Sequence, residues 1–300
     1  MTTELIITNG DSAAGSLKSV GLGDEILPWR DVLHEGPVPD VGGLGALSEL
    51  RGRYLASKGW IAEEEADQSF QNRDQTLWDN EKFDRLSLWF EHDLYDQLQL
   101  LQILDFLGDH PRNDGELYLV QASDYLGVIK PDGLPALGEK AVKVTEQQLV
   151  LAKAAWWAFG QDTPETWAQL LNEDISALPY LKSSVVRMLE ELPGADGLSR
   201  TERQILDEIH RGEAQIGPLF GACQKREDAM FMGDWSFIER LHSLAHCSRP
   251  AIQGYGHVHY SPDLGEDERK AFFGRELRLT DFGRDILAGK ADFASHNEID

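Results

Sequence analysis

Four short stretches of the chain carry the side chains best suited to chemistry. They are Asn9-Gly10-Asp11-Ser12, Arg30-Asp31-Val32-Leu33-His34-Glu35, Glu91-His92-Asp93 with Asp96, and Gln121-Ala122-Ser123-Asp124. The carboxylates of Asp11, Asp31, Glu91, Asp93 and Asp96 are hard oxygen ligands of the kind that hold Mg²⁺ or Mn²⁺ beside a phosphate, with Asp11, Asp31 and Glu91 as the expected metal set. Imidazole titrates near neutral pH, so His34 or His92 is the expected proton-transfer group, with Asp31 and Glu91 as its catalytic neighbours. Asn9, Gly10, Asp11, Ser12, Arg30, Glu35, Asp93, Asp96 and Asp124 form the candidate ligand-binding set. The run Gly10-Asp11-Ser12-Ala13-Ala14-Gly15 is neither a P-loop nor a G-x-G-x-x-G turn. Phosphate recognition is therefore expected only as a mononucleotide or sugar phosphate at the first helix N-terminus.

Each stretch also has a plainer role. Asn9-Gly10 suits a turn and Ser12 a helix N-cap. Asp93 suits the N-cap of a helix whose dipole Asp96 would complement. Asp124 suits a turn, and His34 a bond to a backbone carbonyl. What distinguishes these residues is their joint placement. In an open parallel sheet, ligands bind beyond the carboxyl ends of the strands, and each of the four stretches follows a predicted strand.

Those strands are Leu5–Thr8, Glu25–Trp29, Arg85–Phe90 and Glu116–Gln121. Helical spacing separates them: Ala13, Leu17 and Val20; then Leu44, Leu47, Leu50, Tyr54 and Leu55; then Leu94, Leu98, Leu101, Leu104 and Leu107. Residues 62–80 are acidic and polar. Pro28 suits a strand only at its end. Alternating strands and helices imply a Rossmann-like α/β domain over residues 1–130 with a parallel sheet. Breakers at Pro131, Gly133, Pro135 and Gly138 precede a helical segment over 131–197. In it, Thr145–Phe159 forms one helix, Thr163-Pro164-Glu165 opens a second, and Pro179–Leu192 is a third. Ser199-Arg200-Thr201-Glu202 is a capping-box start. Helices from there, near 217–225 and over 234–246 are followed by short strands at Ala251-Ile252 and Glu276–Leu279 and a last helix over 281–287. That order is winged-helix-like and defines a C-terminal domain over 198–300.

The formal net charge is −24, and residues 1–198 carry most of it, with 15 Lys/Arg against 34 Asp/Glu. Such a surface repels a polyanion, so nucleic acid is an unlikely partner for this part. The helix over 234–246 offers mainly Arg240 for base reading and carries Asp234 and Glu239, which favours a packing role over DNA recognition. No run of apolar residues is long enough for a membrane span, and Met-Thr-Thr-Glu leads straight into a strand, so neither a membrane anchor nor a secretory signal is expected. With only Cys223 and Cys247, a reducing cytoplasm is expected. His242 and His246 lie one helical turn apart, with Cys223, Cys247, His257 and His259 elsewhere. They lack the adjacent Glu of a zinc protease and any Cys-x-x-Cys, so surface histidines are expected rather than zinc.

Asn9-Gly10-Asp11-Ser12, Trp29 to Pro39 and Trp89-Phe90-Glu91-His92-Asp93-Leu94-Tyr95-Asp96-Gln97-Leu98 together resemble the hallmark segments of a bacterial family known as domain of unknown function 1835. The resemblance covers about the first 125 residues. Leu198–Leu206, Phe231-Met232-Gly233-Asp234-Trp235 and Leu279–Asp292 resemble the C-terminal part of its long members. Membership implies a conserved polar site without an established reaction. It also implies a continuation beyond the position of Asp300, with an Arg-Trp-Leu-Gly-Gly-like segment and a His.

Three functions follow as expectations. The first is binding of a small phosphorylated or nucleotide-like ligand at the strand ends, extending to metal-assisted phosphoryl transfer or hydrolysis. The second is a ligand-sensing regulator built on the winged helix. The third is a Ser hydrolase using Ser12, because Gly10-Asp11-Ser12 is similar to the opening motif of GDSL-type esterases and Asp31-Val32-Leu33-His34 has their Asp-x-x-His spacing. Those esterases place that second motif near the C-terminus, and no clear Gly-x-Asn-Asp block accompanies it here. Composition and spacing leave the ligand and oligomeric state open.

Overall fold

The computed structural model describes residues 2–113, 116–257, 260–261 and 264–298. Two compact units divide between Val186 and Arg187.

The first unit opens with β1 (Glu4–Thr8), α1 (Asp11–Ser19), β2 (Glu25–Pro28), α2 (Leu44–Ser57) and α3 (Glu63–Trp78). It continues with β3 (Arg85–Phe90), α4 (Leu94–Asp109), β4 (Leu117–Gln121), α5 (Gly133–Gly138), β5 (Val142–Lys143), α6 (Glu146–Phe159), α7 (Glu165–Gln169) and the first residues of α8 (Leu181–Leu189). The strands form one sheet in the order β2-β1-β3-β4-β5. The first three pairings are parallel, and β4–β5 is antiparallel. Pro28 is the last residue of β2 on the sheet's edge, where its missing N–H breaks no ladder.

This order fixes where a ligand can sit. From β1 the chain crosses through α1 toward β2, and from β3 it crosses through α4 toward β4. Right-handed crossovers in opposite directions put α1 and α4 on opposite faces and leave a crevice between the carboxyl ends of β1 and β3. Ile6, Ile26, Trp89 and Val120 line one face and pack with Ala13, Ala14 and Leu17 of α1 and with Leu134 of α5. Leu5, Ile7, Leu86 and Leu88 alternate to the opposite side and are all fully buried.

Three elements differ from the sequence reading. The polar stretch 62–80 is largely the helix α3, which buries Ala66, Phe70 and Leu77 along with Arg73 and Asp74. Two charged residues on the buried face hide its helical period. Residues 142–143 form β5, too short to show a strand pattern. Ser12 does not cap α1: the N-cap is Gly10 and the helix begins at Asp11. The sequence placed domain boundaries at 130/131 and 197/198. In the structure β5 pairs with β4 and α6 packs on α4, which joins residues 131–186 to the sheet.

The second unit contains the rest of α8, then α9 (Arg200–Arg211), α10 (Ile216–Gln224), α11 (Asp234–Ala245), β6 (Ile252–Gln253), α12 (Glu266–Phe273), β7 (Arg278–Leu279) and α13 (Asp281–Leu287). The capping box expected at Ser199 is formed with Glu202. Strands β6 and β7 are antiparallel, and Gln215 makes a bridge to Glu276 beside them. The helix α12 had no counterpart in the sequence reading, because its Glu266-Asp267-Glu268-Arg269-Lys270 start carries no apolar stripe. Among the described residues, no helix is long and apolar enough to cross a membrane.

Candidate functional site

The crevice between β1 and β3 is built around one carboxylate. Asp96, in the first turn of α4, is fully buried. Its Oδ1 accepts the backbone N–H of Glu91 at 2.6 Å, and its Oδ2 accepts the Asn9 side-chain amide at 2.7 Å. The end of β1, the end of β3 and the start of α4 are thereby tied together. Asp93 is the N-cap of α4 and accepts the Asp96 N–H at 3.2 Å, the role its position after the strand suggested. Gln97 donates to the Glu91 carbonyl at 2.6 Å, and Glu91 Oε1 accepts the Leu126 N–H at 2.7 Å beyond β4.

Glu91, Asp93 and Asp96 are all buried, and their carboxylate oxygens lie within 4.8 Å of one another. Among the described residues no cationic side chain pairs with any of the three. Burial is the largest cause raising all three carboxyls, with repulsion from Glu91 added at Asp93, from Asp93 and Glu91 at Asp96, and from Asp124 at Glu91. Asp93 reaches about 7 and Asp96 stands well above the ordinary range. Three like charges cannot share a low-dielectric pocket, so the cluster holds protons or takes up a cation. The donor set is oxygen only and compact, which fits a hard divalent ion such as Mg²⁺ or Mn²⁺.

His92 stands beside this cluster between two aromatic rings, Tyr125 at 5.1 Å and Tyr180 at 5.9 Å. Its Nδ1 finds no hydrogen-bond partner among the described residues. Burial lowers its pKa, partly offset by Asp124, so the ring is neutral at pH 7 and able to take a proton. Asp124 itself is exposed and accepts the Tyr125 N–H at 2.8 Å, as a turn residue does.

The expected metal set Asp11, Asp31 and Glu91 does not come together. Asp11 is exposed at the start of α1 and forms a two-bond ion pair with Arg30, at 2.6 and 2.8 Å, which lowers its pKa. Asp31 is fully buried in an ion pair with Arg51 at 2.9 Å. A carboxylate already matched by a guanidinium has little charge left for a metal, so the acidic set is Glu91, Asp93 and Asp96 instead.

Arg51, from α2, organises the loop that carries His34. Its Nε donates to Asp31, Nη2 to the Val32 carbonyl at 2.8 Å, and Nη1 to the Glu35 and Pro37 carbonyls at 2.7 and 3.2 Å. Gln99 of α4 donates to the Asp31 carbonyl at 2.8 Å. Asp31 is therefore tied into the frame of this loop by both its side chain and its carbonyl. Glu35 is buried in this loop, and His34 lies 6.0 Å from the Tyr95 ring, edge to face. Tyr95 also reaches the Asn9 carbonyl at 3.5 Å, so the His34 loop adjoins the crevice through Tyr95. Gly10 is half-buried, and a Cβ there would meet nothing within 4 Å.

Ser12 is exposed and, among the described residues, makes no side-chain hydrogen bond, including none to an imidazole. The nucleophile–base contact that a Ser hydrolase needs is not formed. His242 and His246 lie 4.5 Å apart as rings, and no cluster of three ligands forms around them among the described residues. His259 lies outside the described residues. The sequence reading missed Arg51, Gln97 and Gln99. The signal available was three Gln residues, Gln97, Gln99 and Gln102, on the leucine-rich and largely buried α4.

No family model matches the chain, and no curated protein matches its sequence. Among solved structures, the crystal structure of the Plasmodium falciparum topoisomerase II DNA-binding, cleavage and re-ligation domain aligns with 95% of this chain and 48% of that one, at 12% identity and a TM-score of 0.44. The chain thus spans about half the length of that structure. A likeness this distant supports no inference about activity.

Proposed function

We propose that the β1/β3 crevice binds a divalent cation and, through it, a small phosphorylated or nucleotide-like ligand. The observation that carries this reading is the buried, unneutralised trio of Glu91, Asp93 and Asp96 at the switch point of a parallel sheet. A bound Mg²⁺ or Mn²⁺ would neutralise that charge and polarise a phosphoryl oxygen. The chain's own residues supply the rest. Asn9 and the Glu91 N–H hold Asp96 in place, Asp93 fixes the start of α4, and neutral His92 accepts a proton from a nucleophile. Arg30, on the rim and half exposed, is the cation best placed to meet a phosphate once released from Asp11.

Thermal-shift titration tests this directly. Mg²⁺ or Mn²⁺ should raise Tm, by the equivalent of about 2.7 kcal/mol at a hundred times Kd, and nucleotides or sugar phosphates should add to the shift only with metal present. Asp93→Asn should abolish the metal response. Absence of any shift with either metal at millimolar concentration sinks the proposal.

We further propose that the chain is a long member of the family called domain of unknown function 1835, on the three segments that meet around this crevice and its adjoining loop. The second unit reads best as a winged-helix module used for packing. Its order of three helices and an antiparallel strand pair supports that reading. Arg240, the one base-reading candidate on α11, lies within 3.8 Å of Glu191, which argues against DNA recognition. Two free cysteines suit a cytoplasmic location.

A further inference from the structure

A cleft of about 420 Å³ opens in the first unit between the loop over residues 38–43, the start of α2, α4 and α6. It shares no lining residue with the acidic crevice. Aromatic rings form much of its wall. Phe106 and His110 stack at 4.5 Å with Trp78 set edge-on behind them, and Trp156 and Trp157 stand on α6. Trp157 is 56% exposed, unusual for so large an apolar side chain.

The polar groups in the cleft are unevenly matched. Lys153 is paired with Asp109. Asp105 is half-buried and, among the described residues, makes no hydrogen bond and no ion pair. Asp40 adds a further negative charge. Gln102 is 3% exposed, and its Oε1 accepts the Trp29 indole N–H at 2.8 Å, which fixes the direction of the amide. Its Nε2 is left without an acceptor. The atom is closed off from solvent; a buried donor left unmade is costly, and a ligand oxygen reaching it from the cleft would relieve that cost.

We propose that this cleft is a second binding site, for a small alkylammonium compound bearing a hydroxyl or carbonyl oxygen. Indole faces attract a cation, and Asp105 supplies a counter-charge that Lys153, bonded to Asp109, offsets only in part. The Gln102 amide donates to the ligand oxygen. An anion would meet three carboxylates and one occupied ammonium, and is repelled. The volume suits a molecule of this size.

Choline serves as the probe, read by tryptophan fluorescence and calorimetry on the full chain. Its uncharged analogue, with carbon in place of nitrogen, should bind about tenfold or more weaker, the scale of a desolvated cation–π contact. Tetramethylammonium, lacking the oxygen, should bind several-fold weaker. Asp105→Asn and Trp157→Ala should each weaken choline about tenfold. Trp157 is half exposed, so that variant keeps the fold even where the first does not. Asp93→Asn should leave choline binding unchanged, which separates this site from the acidic crevice. Burial, with Asp109 and Asp40 nearby, lifts the Asp105 carboxyl to about 6 despite Lys153. Binding should therefore weaken as pH falls through 6. The proposal is overturned if choline gives no saturable signal, or if the uncharged analogue binds as well.

Discussion

Arg51 and Asp31 form an ion pair, 2.9 Å apart, that is sealed from solvent on both sides. All four hydrogen bonds of this guanidinium go to the seven-residue stretch 31–37, so the pair acts as the hub of the His34 loop. A second guanidinium supports it: Arg73 lies 4.0 Å over the Trp29 ring, bonds Ser48 and Asp74, and stands 3.9 Å from Asp31.

Removing one partner of that pair strands a buried charge. Arg51→Met should cost about 3–5 kcal/mol of stability in urea unfolding. Arg51→Lys should recover little of it, because an ammonium cannot serve Asp31 and three carbonyls from fixed directions. A loss within experimental error for Arg51→Met would show that the loop is held by something else.

The acidic trio gives a pH dependence of definite sign. Unfolded, Asp93 titrates near its ordinary 3.8; folded, it titrates near 7. Between those values the folded state binds the extra proton, so this group's contribution to stability falls as pH rises from about 4 through 7 and then levels off. Asp93→Asn keeps an N-cap oxygen and removes the charge. It should therefore be more stable than the parent at pH 8, by more than about 1 kcal/mol, and close to it at pH 5. Saturating Mg²⁺ should flatten the parent's curve in the same way. Parallel curves for parent and variant would contradict the assignment.

Ser12→Ala is expected to shift stability by less than about 0.5 kcal/mol, as for an exposed side chain without partners. It should also leave any turnover of phosphorylated substrates intact. Labelling of Ser12 by a fluorophosphonate would revive the hydrolase reading.

Gly36 sits in the His34 loop at φ +74°, and a Cβ there would lie 2.3 Å from the Tyr54 ring. Gly36→Ala should destabilise by more than about 1 kcal/mol, from backbone strain and the clash together. Thermal melts of the variant are a sufficient check.

The parallel strands were readable because β-branched and leucine runs end in polar residues; Arg85–Phe90 carries the clearest such pattern. Once those strands align, the strand-end rule brings Asn9, Glu91, Asp93 and Asp96 to one place without further information. The division of labour among the carboxylates was not readable. Asp31 and Asp93 look alike in sequence, but one meets Arg51, twenty residues away on α2, and the other, capping α4, meets no cationic side chain among the described residues. Which acids are neutralised depends on these long-range pairings, and spacing along the chain does not encode them. The helix α3 was hidden for a related reason, since its buried Arg73 and Asp74 read as surface residues.

The sheet's two margins carry a final consequence. One is a four-residue strand closed by Pro28, and the other is a two-residue strand. Neither offers an unbroken row of backbone donors and acceptors to a passing chain, so this sheet gives foreign strands little to pair with.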